Sequence, residues 1–357
     1  MLTELQKRLH DDSLIAAMNE AATVDASPRA QIEMLLDLSM SLQQRPRYRT
    51  ELEDAAVLAE QARDLAGADM PLLRARACLR LGTALKAVPG DVGVLHDARR
   101  ALEEAVPALR AAGARDEEIA DGEMNLGVVM QTLGAAEGVN LADALACYQR
   151  ALTVFTRERY PAEFAMLQNN LATAFLAMPL SAERAQLREA LAVQSFEEGL
   201  SVINLVDHPT EYAMLQNNLG NALQAITTSH PIENLVRAVE AYDEALKVRT
   251  PRDAPLEYAN TIANKANALA GLPDDLDEPE RPNAKNLRTA IALLEEADGI
   301  FTAHALAQQS EIVGVAIAEL RQVLAAAELG GPEEPAAARE PGGATQDPAA
   351  VSQPEAE

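Results

Sequence analysis

Tryptophan is absent from this 357-residue chain, and aromatic residues make up only 3% of it. Sandwiches and barrels lean on aromatic and β-branched side chains, so the shortage argues against an all-β fold. Cysteine is scarce as well: Cys78 and Cys147 stand alone, with no CxxC spacing. That argues against a disulfide framework or a zinc site, and for two buried thiols in a reducing compartment. Basic residues number 30 against 55 acidic ones, a formal net charge of −25. A nucleic-acid binder needs a basic footprint to neutralise phosphates, and the basic residues here are scattered, so no nucleic-acid partner is expected. No run approaches the ~18 consecutive apolar residues of a spanning helix. The first ten residues also lack the basic-then-apolar build of a signal peptide. A cytoplasmic protein without a membrane partner is expected.

Catalytic signatures are missing too. The histidines His10, His96, His208, His230 and His304 stand singly, and no HExxH pair, GxSxG elbow, Walker loop or GxGxxG turn occurs. The acidic loop from Asp274 to Glu280 lacks the glycine and ligand spacing of a calcium loop and reads as solvated. No enzyme activity, metal or cofactor is expected.

What the chain does have is alanine, leucine and glutamate, an apolar fraction of 48%, and a repeat. Glu-Phe-Ala-Met-Leu-Gln-Asn-Asn-Leu-Ala from Glu163 returns 48 residues later as Glu-Tyr-Ala-Met-Leu-Gln-Asn-Asn-Leu-Gly from Glu211. A weaker copy begins at Glu257, and earlier ones include Asn125-Leu126-Gly127, Leu81-Gly82 and Leu38-Ser39. Each of the six copies is followed by a second helical pattern of small, large and small residues at spacings of four and three. These are Ala55/Ala59/Ala62, Ala98/Leu102/Ala105, Ala144/Tyr148/Ala151, Ala192/Phe196/Gly199, Ala238/Tyr242/Ala245 and Ala290/Leu294/Ala297. That spacing lays one stripe along a helix, and its small members admit a close neighbour. Pro28, Pro71, Pro161, Pro209 and Pro255 fall at or just before the starts of first helices, where proline is tolerated.

Leu-Gly at the end of the first stripe, then small-x3-aromatic-x2-Ala-Leu in the second, resembles the tetratricopeptide repeat. The best single copy joins Asn218-Leu219-Gly220-Asn221-Ala222-Leu223 to Ala238 through Leu246. The periods here run from 43 to 48 residues, against about 34 in the usual repeat. The Gln-Asn-Asn-Leu core is also similar to kinesin-light-chain repeats and to bacterial arrays that accompany caspase-like peptidase domains. The resemblance covers about residues 28 to 300, with Lys265 in a core position that leucine fills in the other five copies. It implies an all-α superhelical solenoid of six antiparallel helix pairs over residues 28–302. Residues 1–27 are expected as an N-terminal capping helix, 303–329 as a C-terminal one, and 330–357 as a disordered acidic tail.

In such an array the side of each first helix opposite its core stripe lines an inner groove. In the fifth copy Tyr212, Leu215, Leu219 and Leu223 form the stripe, and Met214, Asn217, Asn221 and Gln224 project away from it. The same register assigns Glu33, Leu36, Met40 and Gln43, then Arg76, Leu79, Thr83 and Lys86, then Asp121, Met124, Val128 and Gln131. It continues with Met166, Asn169, Thr173 and Leu176, and ends with Asn260, Ala263, Asn267 and Ala270. The first half of this surface reads as apolar and methionine-bearing with few charges, the second as rich in asparagine. Asparagine can pair with any peptide backbone and methionine repacks around varied apolar groups, so the groove suits an extended peptide or helix. Asn125, Asn170, Asn218 and Asn264 have a second role open to them, bonding neighbouring helices to set the repeat spacing. The expected function is a scaffold or adaptor for a protein partner, which the resemblance places in a bacterial signalling or defence complex. Self-assembly through the apolar half is the alternative, and an enzyme with unfamiliar residues a remote one.

Overall fold

The computed structural model describes residues 27–44, 46, 48–90, 92–137, 141–178, 182–226, 230–277 and 283–328. The helix expected over residues 1–27 and the tail expected over 330–357 lie outside the described residues, Ser27 excepted. The described chain is all-α, with thirteen helices and no strand. In order they are α1 (Pro28–Gln44), α2 (Arg49–Ala66), α3 (Pro71–Ala87), α4 (Val92–Ala111), α5 (Asp116–Glu137), α6 (Ala142–Leu152) and α7 (Pro161–Ala177). There follow α8 (Ala182–Leu200), α9 (Pro209–Ala225), α10 (Pro231–Leu246), α11 (Pro255–Ala270), α12 (Ala284–Ala303) and α13 (Ala307–Glu328). No helix among the described residues is long and apolar enough to cross a membrane.

The prolines explain the helix starts. Helices α1, α3, α7, α9 and α11 each begin at one, where the missing N–H would have no intrahelical partner anyway. Helix α5 has no such proline and instead opens on Asp116, Glu117 and Glu118, which suit the positive end of its dipole. The acidic loop contributes a cap of its own. Asp274 Oδ2 and Oδ1 accept the backbone N–H groups of Lys285 and Asn286 at 2.8 and 2.7 Å, at the start of α12.

Each odd-numbered helix from α1 to α11 packs against the helix that follows it, giving six tetratricopeptide-like pairs. The chain divides between Thr156 and Arg157 into two compact units, the first ending with α6 and the second beginning at α7. Within each unit successive first helices also touch, α1 with α3 and α3 with α5, and likewise α7 with α9 and α9 with α11. Successive second helices meet far less closely. Each unit therefore bends with its first helices on the inside.

The small-large-small stripe is the core of every pair: all eighteen of its residues are buried. The first helix answers the large residue with a small one. A Cβ on Gly127 would lie 2.5 Å from Tyr148 Cε1, and one on Gly220 would lie 2.6 Å from Tyr242 Cε1. Where the large residue is Phe196 or Leu294 the facing position is Ala172 or Ala266. Where it shrinks to Ala59 the position is Ser39, whose hydroxyl donates to the Ala55 carbonyl at 2.7 Å. Lys265, where the other copies have leucine, is half-buried, and its ammonium reaches the Asp243 carboxylate on α10 at 2.5 Å. After the sixth pair, α13 buries Val313 and Ile317 against a cluster that includes Ala290, Leu294 and Phe301 of α12.

Candidate functional site

In the first unit the inner face holds a cleft of about 520 Å³ between α1, α3 and the start of α5. Six residues expected in the groove line it: Glu33, Leu36, Met40, Arg76, Leu79 and Asp121. Its floor is apolar, with Leu79 buried, Leu36 half-buried and Met40 37% exposed. Its walls are charged, which corrects the expectation of few charges. Asp37, Arg80, Arg115, Glu117 and Glu118 join the lining, so five carboxylates face three guanidiniums. Arg76 clamps Glu118 with two bonds of 2.7 and 2.9 Å, and Arg115 adds a third at 3.1 Å. The hydrogen bond from Arg76 and then that from Arg115 hold the Glu118 carboxyl below its ordinary range, against the opposing effect of burial.

Further along α3, Lys86 donates to Asn125 Oδ1 on α5 at 2.8 Å, and Asn125 in turn donates to the Asp121 carbonyl and carboxylate. Burial pushes the Lys86 ammonium below its ordinary value, with the charge of Asp121 opposing that shift. Met124 and Val128 on α5 are half-buried. Both thiols lie in this unit, buried, and burial raises each of them to about 11.

The second unit overturns part of the asparagine assignment. Asn169 and Asn217, expected to face the groove, are buried at 2% and 1% exposure. They belong to a ladder of amides running across successive first helices. Asn169 Nδ2 donates to Asn170 Oδ1 at 3.3 Å, and Asn218 on α9 donates to Asn169 Oδ1 at 2.9 Å. Asn217 donates to Asn218 Oδ1 at 3.3 Å, and its own oxygen faces the Thr261 hydroxyl on α11 at 3.1 Å. Arg249 Nη1 closes the run with a 2.9 Å bond to Thr261 Oγ1. These two residues hold repeat to repeat, a role foreseen only for their neighbours Asn125, Asn170, Asn218 and Asn264.

The physical reason lies in the number of neighbours. The buried positions of α9 (Ala213, Leu215, Asn217, Leu219, Gly220, Ala222, Leu223) sweep roughly 220° of the helix at ~100° per residue. A helix inside a repeat array packs against its own second helix, the preceding second helix and the adjacent first helices. Its open arc is consequently narrow, centred on Met214, Asn218 and Asn221, all half-buried.

Two further residues assigned to the groove from the sequence are tied from beneath. The Tyr242 hydroxyl donates to Asn221 Oδ1 at 2.7 Å, and Gln224 Nε2 donates to the same hydroxyl and to the Asn264 carbonyl. Gln131 repeats the device in the first unit, accepting from the Tyr148 hydroxyl at 2.8 Å. In the fourth copy the ring is Phe196, without a hydroxyl, and the matching first-helix residue is Leu176. Of the remaining assigned residues, Met166, Thr173, Met214 and Asn260 are half-buried and Asn267 is exposed, with the Thr173 hydroxyl turned back to the Asn169 and Asn170 carbonyls.

Sequence reasoning also missed a second cleft, of about 560 Å³, on the outer face of the first unit. It opens between the splayed α2 and α4, over a floor that includes Val57, Leu81, Leu85 and Val94. Its rim carries ion pairs such as Arg49–Glu53 and Arg63–Glu60. Among the described residues, no cluster of His, Cys, Asp and Glu is placed to hold a metal ion.

The fold and the face together define a class, an all-α protein built of tetratricopeptide-like helix pairs. Among solved structures the chain is similar to BtubC (BKLC) from P. vanneervenii, at 16% identity and a TM-score of 0.48, covering 78% of this chain and 92% of that one. It is also similar to the TPR2AB-domain:pHSP90 complex of yeast Sti1, at 16% identity and a TM-score of 0.28, covering 83% of this chain and 98% of that one. No protein-family model matches the chain, and no curated protein matches it in sequence.

Proposed function

We propose that this protein is a non-catalytic scaffold or adaptor that holds a peptide or helix of a partner protein along the inner faces of its units. The observation that carries the reading is the cleft of the first unit, where the first helices of three successive repeats converge on an apolar floor with charged walls. The groups gathered there are thioether, aliphatic and ion-paired side chains, which suit holding a chain. The inner faces are also braced. The amide ladder and the tyrosine hydroxyls fix the first helices before any partner arrives, so little ordering cost falls on binding.

The test is retention of partners from native extract by wild type, by Met40→Asp with Asn267→Asp on the inner faces, and by Glu240→Ala on a second helix. All three substituted residues are exposed, so circular dichroism should show unchanged folding. A protein retained by wild type and Glu240→Ala but lost from the double variant supports the groove. Equal retention by all three moves the contact to the second helices or loops.

Self-assembly keeps one specific observation in its favour. Helix α13 exposes Ile312, Val315 and Val323, at 47%, 56% and 39%, on one face. Pairing of that face with a second copy would make the mass in solution depend on concentration, and Val315→Lys would abolish the dependence.

A further inference from the structure

The chemistry of the first-unit cleft narrows the kind of segment it takes. We infer that it binds a basic amphipathic peptide of the partner, one aliphatic side chain seated on the floor and lysine or arginine side chains along the walls. The inference rests on the groove reading above and adds the sign of the ligand's charge.

Charge sets that sign. Five carboxylates and three guanidiniums leave the cleft with an excess of negative charge. Two of the three guanidiniums, Arg76 and Arg115, are already engaged by one carboxylate, Glu118. They would have to abandon those bonds to serve an acidic ligand. Glu33 and Asp37 are exposed on α1, one helical turn apart, on the wall that carries Met40. Arg29 lies on Glu33 in a solvent-exposed 2.9 Å pair, a class worth little in water and open to exchange for a ligand cation. Cationic side chains laid there meet acidic groups whose field is reinforced by the −25 of the whole chain.

The floor sets the second requirement. Leu36, Leu79 and Met40 offer an apolar surface at the centre of a charged ring, and an exposed methionine adapts to aliphatic side chains of different shape. A polycation without an anchor would leave this surface wet, and an apolar peptide without cations would gain nothing from the excess of carboxylates on the walls. A volume of about 520 Å³ admits a few side chains and excludes a whole helix bundle.

The experiment is selection of a random twelve-residue peptide library on the full chain, followed by affinity measurement of the enriched peptides. Parallel measurements use Met40→Ser and the charge variant Glu33→Gln, Asp37→Asn, Glu117→Gln. Glu118 stays unchanged because it bonds to Arg76 on α3, and Asp121 because it orients Asn125, which receives Lys86 of α3. The expected binders carry net positive charge around a leucine, isoleucine, valine or methionine. They should weaken roughly tenfold in the charge variant and severalfold in Met40→Ser, and weaken again as salt rises. Neutral or acidic binders that still depend on Met40 would overturn the basic ligand and leave the groove reading standing. Binders indifferent to both variants, or no binders at all, would overturn both.

Discussion

Gly127 on α5 faces the ring of Tyr148 on α6 so closely that a Cβ there would stand 2.5 Å from Tyr148 Cε1. The same ring sends its hydroxyl to Gln131, one turn along α5. One aromatic residue thus sets both the closeness of a helix pair and the orientation of a side chain on its inner face. The fifth copy repeats the arrangement with Gly220, Tyr242 and Gln224.

Gly220→Ala follows directly. The Tyr242 ring is fully buried and cannot swing aside, so the added methyl should destabilise the second unit by about 1–3 kcal/mol. Gly299→Ala on α12 meets nothing within 4 Å and should stabilise by about 0.5–1 kcal/mol through the loss of unfolded-state freedom. Urea unfolding followed by circular dichroism checks both, and equal effects would refute the packing account.

The amide ladder makes a prediction of the same kind. Asn169→Ala strips the buried Asn170 oxygen and the half-buried Asn218 amide of a bond and should cost about 1–3 kcal/mol. Asn217→Ala should cost less, because Thr261 keeps its bonds to Glu257 and Arg249. Asn169→Ala combined with Asn218→Ala should cost less than the sum, because one bond is counted in both. A strictly additive double-mutant cycle would show that the Asn169–Asn218 bond contributes nothing.

Acid should loosen the first unit through Glu118. Its carboxyl is held below the ordinary value by Arg76 and Arg115. Its stabilisation is therefore complete above the unfolded value of ~4.3 and is lost as the pH falls through the lower folded one. Glu118→Gln should be less stable than wild type at neutral pH, and the gap should close as acid protonates the wild-type carboxyl. A gap that stays constant from pH 7 to pH 3 would exclude this ion pair as a source of acid sensitivity.

Lys265→Leu restores the residue of the other five copies. The ion pair it removes joins a side chain 20% exposed to one 51% exposed, a class worth little in water. The leucine should gain more by burial, for a net stabilisation of ~1 kcal/mol. A lower melting temperature would mean that the Asp243 contact matters more than its exposure suggests.

Much of the fold was legible in the sequence because a helix stripe is a local code. The positions of Ala98, Leu102 and Ala105 are set by 3.6 residues per turn, and the matching residues of all six copies are buried. The proline starts are local in the same way. Lys265 showed where that legibility stops: it breaks the leucine pattern, and only the nearness of α10 reveals that Asp243 is there to receive it.

The inner face was half legible. Leu36, Met40, Arg76, Leu79 and Asp121 do converge on one cleft, since the first helices recur in a common register. Asn169 and Asn217 were misplaced because a single helical wheel assumes one buried stripe, and each of these helices is buried on several sides by different repeats. The charges contributed by Arg115, Glu117 and Glu118 come from the start of α5 and enter the cleft only when α5 packs on α3. Sequence by itself determined which residues face the core of each helix pair, because that contact lies between neighbours in the chain. Tertiary structure decided which polar residues are buried and what sign of charge the cleft presents, because those contacts join residues some 40 to 50 positions apart.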